Sequence, residues 1–169
     1  MIKLFLSLVL IIVSSLIGNS FSAKLTTRRK TLFSIHKAIN RTKTLICFGG
    51  MDIYRVVEEC FCTPDFPLME RDLFSDKSDY ENAFEQSVSK INRSFSLTES
   101  DKELLNQFGS NLGTTDVTGQ LAHTELYAQL FAERLNYVKS EESSKSKLYR
   151  VLGFSLGCAI SLGFGYGFI

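Results

Sequence analysis

From Val151 to Ile169 the chain carries no charged residue, and this run limits the available folds more than any other feature. Crossing the hydrocarbon of a bilayer takes roughly 20 apolar residues in a helix, close to the length of the run. Lys145, Lys147 and Arg150 stand directly before it and nothing basic follows. Lys and Arg collect on the cytoplasmic flank of a span, so the segment is predicted to cross with its start inside. Gly153 and Gly157 form a G-x-x-x-G pair, Ser161 continues the row, and Gly163 and Gly167 repeat the spacing. Small residues at that spacing let two helix backbones approach in lipid, which makes these five the predicted transmembrane packing residues.

The other end is apolar from Leu4 to Phe21, apart from Ser7, Ser14, Ser15, Gly18, Asn19 and Ser20. Lys24, Arg28, Arg29 and Lys30 follow at once, against Lys3 in front. That bias favours an uncleaved span whose far side is cytoplasmic. The alternative is a signal peptide cut near Ser20-Phe21-Ser22 or Phe21-Ser22-Ala23, leaving an exported helical binding module on a C-terminal tail. The predicted organisation is therefore an N-terminal transmembrane helix at 1–23, a cytoplasmic helical bundle at 24–147, and a C-terminal transmembrane helix at 148–169.

The middle reads as all-α, an antiparallel bundle of about six helices. Leu25, Leu32, Ile35, Ile39 and Ile46 recur at helical spacing, and Gly49-Gly50 stops that helix. Asp52 opens the next, with a stripe of Ile53, Val56, Val57, Cys60 and Phe61, and Pro64 and Pro67 turn a corner. After a polar turn at 75–79, Tyr80, Phe84, Val88, Ile91 and Phe95 form another stripe. Thr98 or Ser100 caps the following helix; Ser100-x-x-Glu103 fits the capping box, and Thr98-x-x-Asp101 fits it loosely. Its apolar face is Leu104, Leu105, Phe108 and Leu112, and Gly113 stands at its end. The longest helix starts near Thr115 or Asp116, with Val117, Leu121, Thr124, Ala128, Phe131, Leu135 and Val138 facing the core. No segment alternates with a period of two, so little or no sheet is predicted.

Chemistry is hard to find in this pattern. The charge balance, 19 Lys+Arg against 18 Asp+Glu, lacks the basic excess of a nucleic-acid binder. Cys47, Cys60, Cys62 and Cys158 match neither a disulfide framework nor a metal set, and Cys60-Phe61-Cys62 is not C-x-x-C. His36 and His123 have no nucleophile pattern beside them. Gly49-Gly50 precedes no G-K-[ST], and Asp72, Asp76 and Asp79 lack the spacing of a calcium loop. No enzyme, cofactor, metal or small-molecule substrate is predicted.

One stretch is distinctive: Leu104-Leu105-x-x-Phe108-Gly109-x-x-Leu112-Gly113-x-x-Asp116-x-x-x-Gln120-x-x-His123, followed by Lys147-x-Tyr149-Arg150-x-Leu152-Gly153-x-x-x-Gly157. With Ile46-x-Phe48-Gly49-x-x-Asp52-Ile53 it resembles the stage III sporulation protein AB family of endospore-forming bacteria. Thr114-Thr115-Asp116 and Gly49-Gly50-Met51 depart from that family's usual residues. The resemblance implies a helical domain similar to the cytoplasmic domain of type II secretion platform (F) proteins. It implies a non-enzymatic scaffold in the mother-cell membrane facing the forespore, in contact with membrane lipid. Its expected partners are a cytoplasmic ATPase and the other membrane subunits of a secretion-like complex. Leu112, Gly113, Thr115, Asp116, Gln120 and His123 are the structural or interaction residues the resemblance singles out. Gly113 and Asp116 would form the joint between two helices, and Gln120 and His123 would tie the long helix to it or face a partner.

Overall fold

Residues 2–49, 52–64, 66–74 and 79–166 are described by a computed structural model; before residue 12 and after residue 152 few side chains are described. The chain forms two compact units, one of residues 28–136 and one of residues 1–27 with 137–169.

In the larger unit, α1 (Ile2–Gly49) supplies the buried side chains Leu32, Ile35 and Ile39, and ends at Gly49. α2 (Ile53–Phe61) buries Val56, Val57, Cys60 and Phe61. Beyond it, Cys62–Thr63 (β1) and Phe66–Pro67 (β2) pair antiparallel, Cys62 opposite Pro67. Pro64 lies in the connecting turn and Pro67 has no N–H to donate, so the ribbon stays two residues long. No other strand occurs among the described residues. A 3-10 turn at Arg71–Phe74 buries Phe74. Ser75–Ser78 lie outside the described residues, and Asp79 then accepts from the Asn82 N–H at 3.1 Å to start α3 (Tyr80–Ser89).

The stripe predicted from Tyr80 to Phe95 is divided. Phe84, Val88 and Ile91 are buried, but α3 ends at Ser89 and Phe95 belongs to a 3-10 turn at Arg93–Phe95. The Asn92 side chain accepts from the Ser94 N–H at 2.8 Å, an Asn contact that competes with helix continuation. Thr31 Oγ1 of α1 donates to the Phe95 carbonyl at 2.9 Å and holds this turn. α4 (Glu99–Ser110) and α5 (Val117–Tyr166) complete the order. The cap of α4 is Thr98, not Ser100: Thr98 Oγ1 accepts from the Asp101 N–H at 3.2 Å, and Asp101 Oδ2 accepts from the Thr98 N–H at 2.9 Å.

The core is built on aromatic rings from three helices. Phe61 of α2 lies 6.4 Å from Phe84 of α3 and 6.2 Å from Phe108 of α4, centroid to centroid. All three are fully buried, each contributing roughly 2–3 kcal/mol by leaving water. From α5 come Thr124, Ala128, Phe131 and Leu135, as the four-and-three spacing predicts. The seam fails at its start: Val117 is 58% exposed, Leu121 is only half-buried, and Gln120 takes the inward position at that end of the helix.

The smaller unit joins the start of α1 to the end of α5. Thr26 Oγ1 donates to Glu142 Oε1 at 2.6 Å, and Lys145 pairs with Glu141 one turn away at 2.5 Å. Among its described apolar side chains, Val13, Leu16 and Ile17 are exposed.

The flanking transmembrane helices predicted for 1–23 and 148–169 are corrected here. Among the described residues, no helix is long and apolar enough to cross a membrane. α1 runs unbroken through Ser14-Ser15 and Gly18-Asn19-Ser20 into the basic run 24–30, and α5 runs unbroken through the polar stretch 139–147. Apolar and polar sequence thus share single helices. The two-pass topology, the placement in the mother-cell membrane and the membrane-embedded platform role fall with the spans. Of the predicted packing row, Gly153, Gly157, Ser161 and Gly163 fall within α5, their surroundings undescribed, and Gly167 lies outside the described residues. The all-α bundle itself stands, with five α-helices among the described residues.

Candidate functional site

The predicted residues Leu112, Gly113, Thr115, Asp116, Gln120 and His123 fall together at the corner between α4 and α5. The corner begins where α4 runs out at Ser110 and the Leu112 N–H donates to the Gly109 carbonyl at 3.0 Å. Leu112 is buried, and Gly113 then turns the chain with φ of 85°, a backbone state that side chains with a Cβ disfavour. Asp116 Oδ1 accepts from the Gly119 N–H at 3.0 Å, satisfying one of the unpaired donors that open a helix.

Gln120, nearly fully buried, closes this turn from inside. Its Oε1 accepts from the Gly113 N–H at 2.9 Å, and its Nε2 donates to the Asn111 carbonyl at 3.3 Å and to Thr115 Oγ1 at 3.1 Å. Both ends of one amide are therefore used on three residues of the loop. His123 makes the next tie. Its Nε2 lies 2.9 Å from the Phe108 carbonyl, which only accepts, so the ring proton sits on Nε2. The imidazole stacks on the Phe108 ring at 5.7 Å with the planes 9° apart, and Tyr127 packs against it at 4.7 Å.

What remains outside is a short exposed surface, Gly113 to Thr118, with apolar Val117 on it. The corner has the build of a fixed joint carrying an exposed loop. Substituting Gln120 by Ala is expected to cost about 1–2 kcal/mol, because the Gly113 N–H loses its acceptor. Urea unfolding measures this, and a change within error would show that the loop is not held by the amide.

A second constellation carries no motif in the sequence. Asp101, completely buried, receives Arg28 of α1 through Nε at 2.8 Å and Nη2 at 3.0 Å, and Arg134 of α5 through Nη1 at 3.0 Å. Burial alone would raise this carboxyl; the bonds from Arg28, Thr98 and Arg134 outweigh it and hold it below the usual carboxylate range. One side chain thus links three helices. The only advance signal is Thr98-x-x-Asp101, while Arg28 is hidden in a basic run that reads as a membrane flank.

The other candidates do no visible chemistry. His36 pairs with Asn40 on its own helix at 3.2 Å. Cys47, Cys60 and Cys62 are free thiols; burial pushes Cys60 up and Cys62 to about 11, which keeps both protonated at neutral pH. Among the described residues no group of His, Cys, Asp or Glu could hold a metal ion.

The family model for stage III sporulation protein AB matches residues 3–164, nearly the whole chain and all of both constellations. The chain belongs to that family. Stage III sporulation protein AB of Bacillus subtilis (strain 168) is 24% identical over 170 residues, covering 96% of this chain and 98% of that protein. No solved structure matches. Family membership ties the chain to the sporulation machinery.

Proposed function

We propose that this member of the stage III sporulation protein AB family is a scaffold subunit that recruits other proteins of the sporulation machinery, its ATPase among them, through the α4–α5 corner. The observation that carries the reading is the division of labour at that corner. Gln120 and His123 spend their polar atoms inward on the loop and on α4, while Gly113 to Thr118 stay exposed. A loop held in one conformation loses little entropy when a partner docks on it. Conspicuously, the exposed surface includes an apolar side chain, Val117, at the first position of α5.

Val117→Glu separates contact from folding. The position is exposed, and an acidic residue in the first turn suits the helix dipole, so the fold is expected to be unchanged. Cells depending on this variant are expected to form at least about tenfold fewer heat-resistant spores, the effect of losing one interface anchor of ~1.4 kcal/mol or more. Wild-type spore numbers with normal protein levels would remove the corner from consideration.

A further inference from the structure

We infer that the larger unit binds a second copy of this chain head to tail, an acidic groove of one copy receiving a basic helix face of the other. The acidic groove lies between α3 and α4, has a volume of about 220 Å³, and is floored by the Phe84 ring. Glu81 and Glu85, both exposed, stand one helical turn apart on its rim. Neither has an ion-pair partner among the described residues. Like charges at that spacing repel along a helix, and a cation placed between them relieves it. Both carboxylates only accept; what fits them is a side chain that only donates.

Such side chains stand on another part of the same unit. A groove of about 290 Å³ between α1 and the segment from α2 to β2 is lined by Lys37, Arg41, Glu59 and Phe66 among others. Lys37 is exposed with no ion pair among the described residues, and Arg41 reaches Glu59 only at 3.6 Å while remaining 57% exposed. The rim there carries two cations and one carboxylate, against two carboxylates and no cation on the acidic groove. Lys and Arg only donate. The two grooves share no residue, so one copy can give and receive at once. That is a heterologous contact, which closes into a ring or extends as a row depending on the rotation between copies. The charge complement already present on the chain favours a second copy over an unrelated basic protein as the occupant.

The test is sedimentation equilibrium of the full chain at low and high salt, with two charge-reversed variants, Lys37→Glu/Arg41→Glu and Glu81→Lys/Glu85→Lys. Wild type is expected to associate with rising concentration, and the association to weaken at least about tenfold at roughly 0.5 M salt, where exposed charges are screened. Each variant alone is expected to stay monomeric, and an equimolar mixture of the two to associate again. A wild type monomeric throughout, variants that associate as wild type does, or a mixture that stays monomeric each overturn the proposal. Should a reversed variant fail to fold, Lys37→Gln/Arg41→Gln and Glu81→Gln/Glu85→Gln carry the same expectation of lost association.

Discussion

Replacing Asp101 by Ala is expected to lower the unfolding free energy by about 3 kcal/mol, as removal of one partner from a buried ion pair does. The loss has two sources. The carboxylate accepts four hydrogen bonds, two from Arg28 and one each from Arg134 and the Thr98 N–H. Its removal also leaves two guanidinium groups without their common counter-charge. Their side chains are 16% and 28% exposed, so water reaches them in part, which places the effect at the low end of the range for buried pairs. The same group sets an acid limit. Its folded pKa lies below the unfolded value, so the unfolded chain binds the extra proton first as pH falls. The stabilisation is therefore complete above the unfolded Asp value, near about pH 4, and is lost as pH drops through the lower folded value. Urea unfolding of wild type and Asp101→Ala across that range is expected to show the two converging toward low pH. Parallel curves would mean that Asp101 is not the titrating support.

Gly109→Ala is expected to destabilise by about 2 kcal/mol, although Ala is normally the better helix residue by ~1 kcal/mol. A Cβ at Gly109 would stand 2.2 Å from two carbons of the Phe84 ring and 2.6 Å from a third. Phe84 is buried and packs edge-on against Phe61 and Phe74. The ring or the helix must shift, and either disturbs the α3–α4 contact. Thermal unfolding tests this with a double variant. Phe84→Leu in the Gly109→Ala background is expected to cost less than Phe84→Leu alone, because the two residues compete for one space. Additive losses, or a stabilised Gly109→Ala, would contradict the packing described.

The helical stripes were legible because burial follows a period of 3.6 residues: Leu32, Ile35 and Ile39, or Val56, Val57, Cys60 and Phe61, announce an inward face without any knowledge of what they meet. Gly113 and Asp116 were legible for another reason, since a positive φ and a helix start each favour few residue types. Gln120's position over the loop was not, because an amide can serve any of several partners and only the fold brings Gly113, Asn111 and Thr115 to it. The Asp101 cluster was hidden by its own residue types. An Asp in the first turn of a helix reads as a capping residue, and Arg28 in a run of cations reads as a topology signal. Val117 was misplaced by carrying the four-and-three seam back into the first turn of α5, where Gln120 faces inward instead. The two ends show the limit of composition: an apolar run bounded by basic residues reads as a span, yet polar and apolar stretches here occupy one helix, and among the described residues none reaches membrane-crossing length and apolarity.

The claim that the α4–α5 corner is where this family member meets the sporulation machinery can be tested in one measurement. A photo-crosslinking residue is placed at position 117 in sporulating cells, with a control at the exposed position 133 on the same helix. The expected result is an adduct from position 117 to another sporulation protein, identified by mass, that is absent from position 133 and lost when Gln120→Ala is made in the same chain. Equal background from both positions would contradict the corner's role and leave the joint as a purely structural feature.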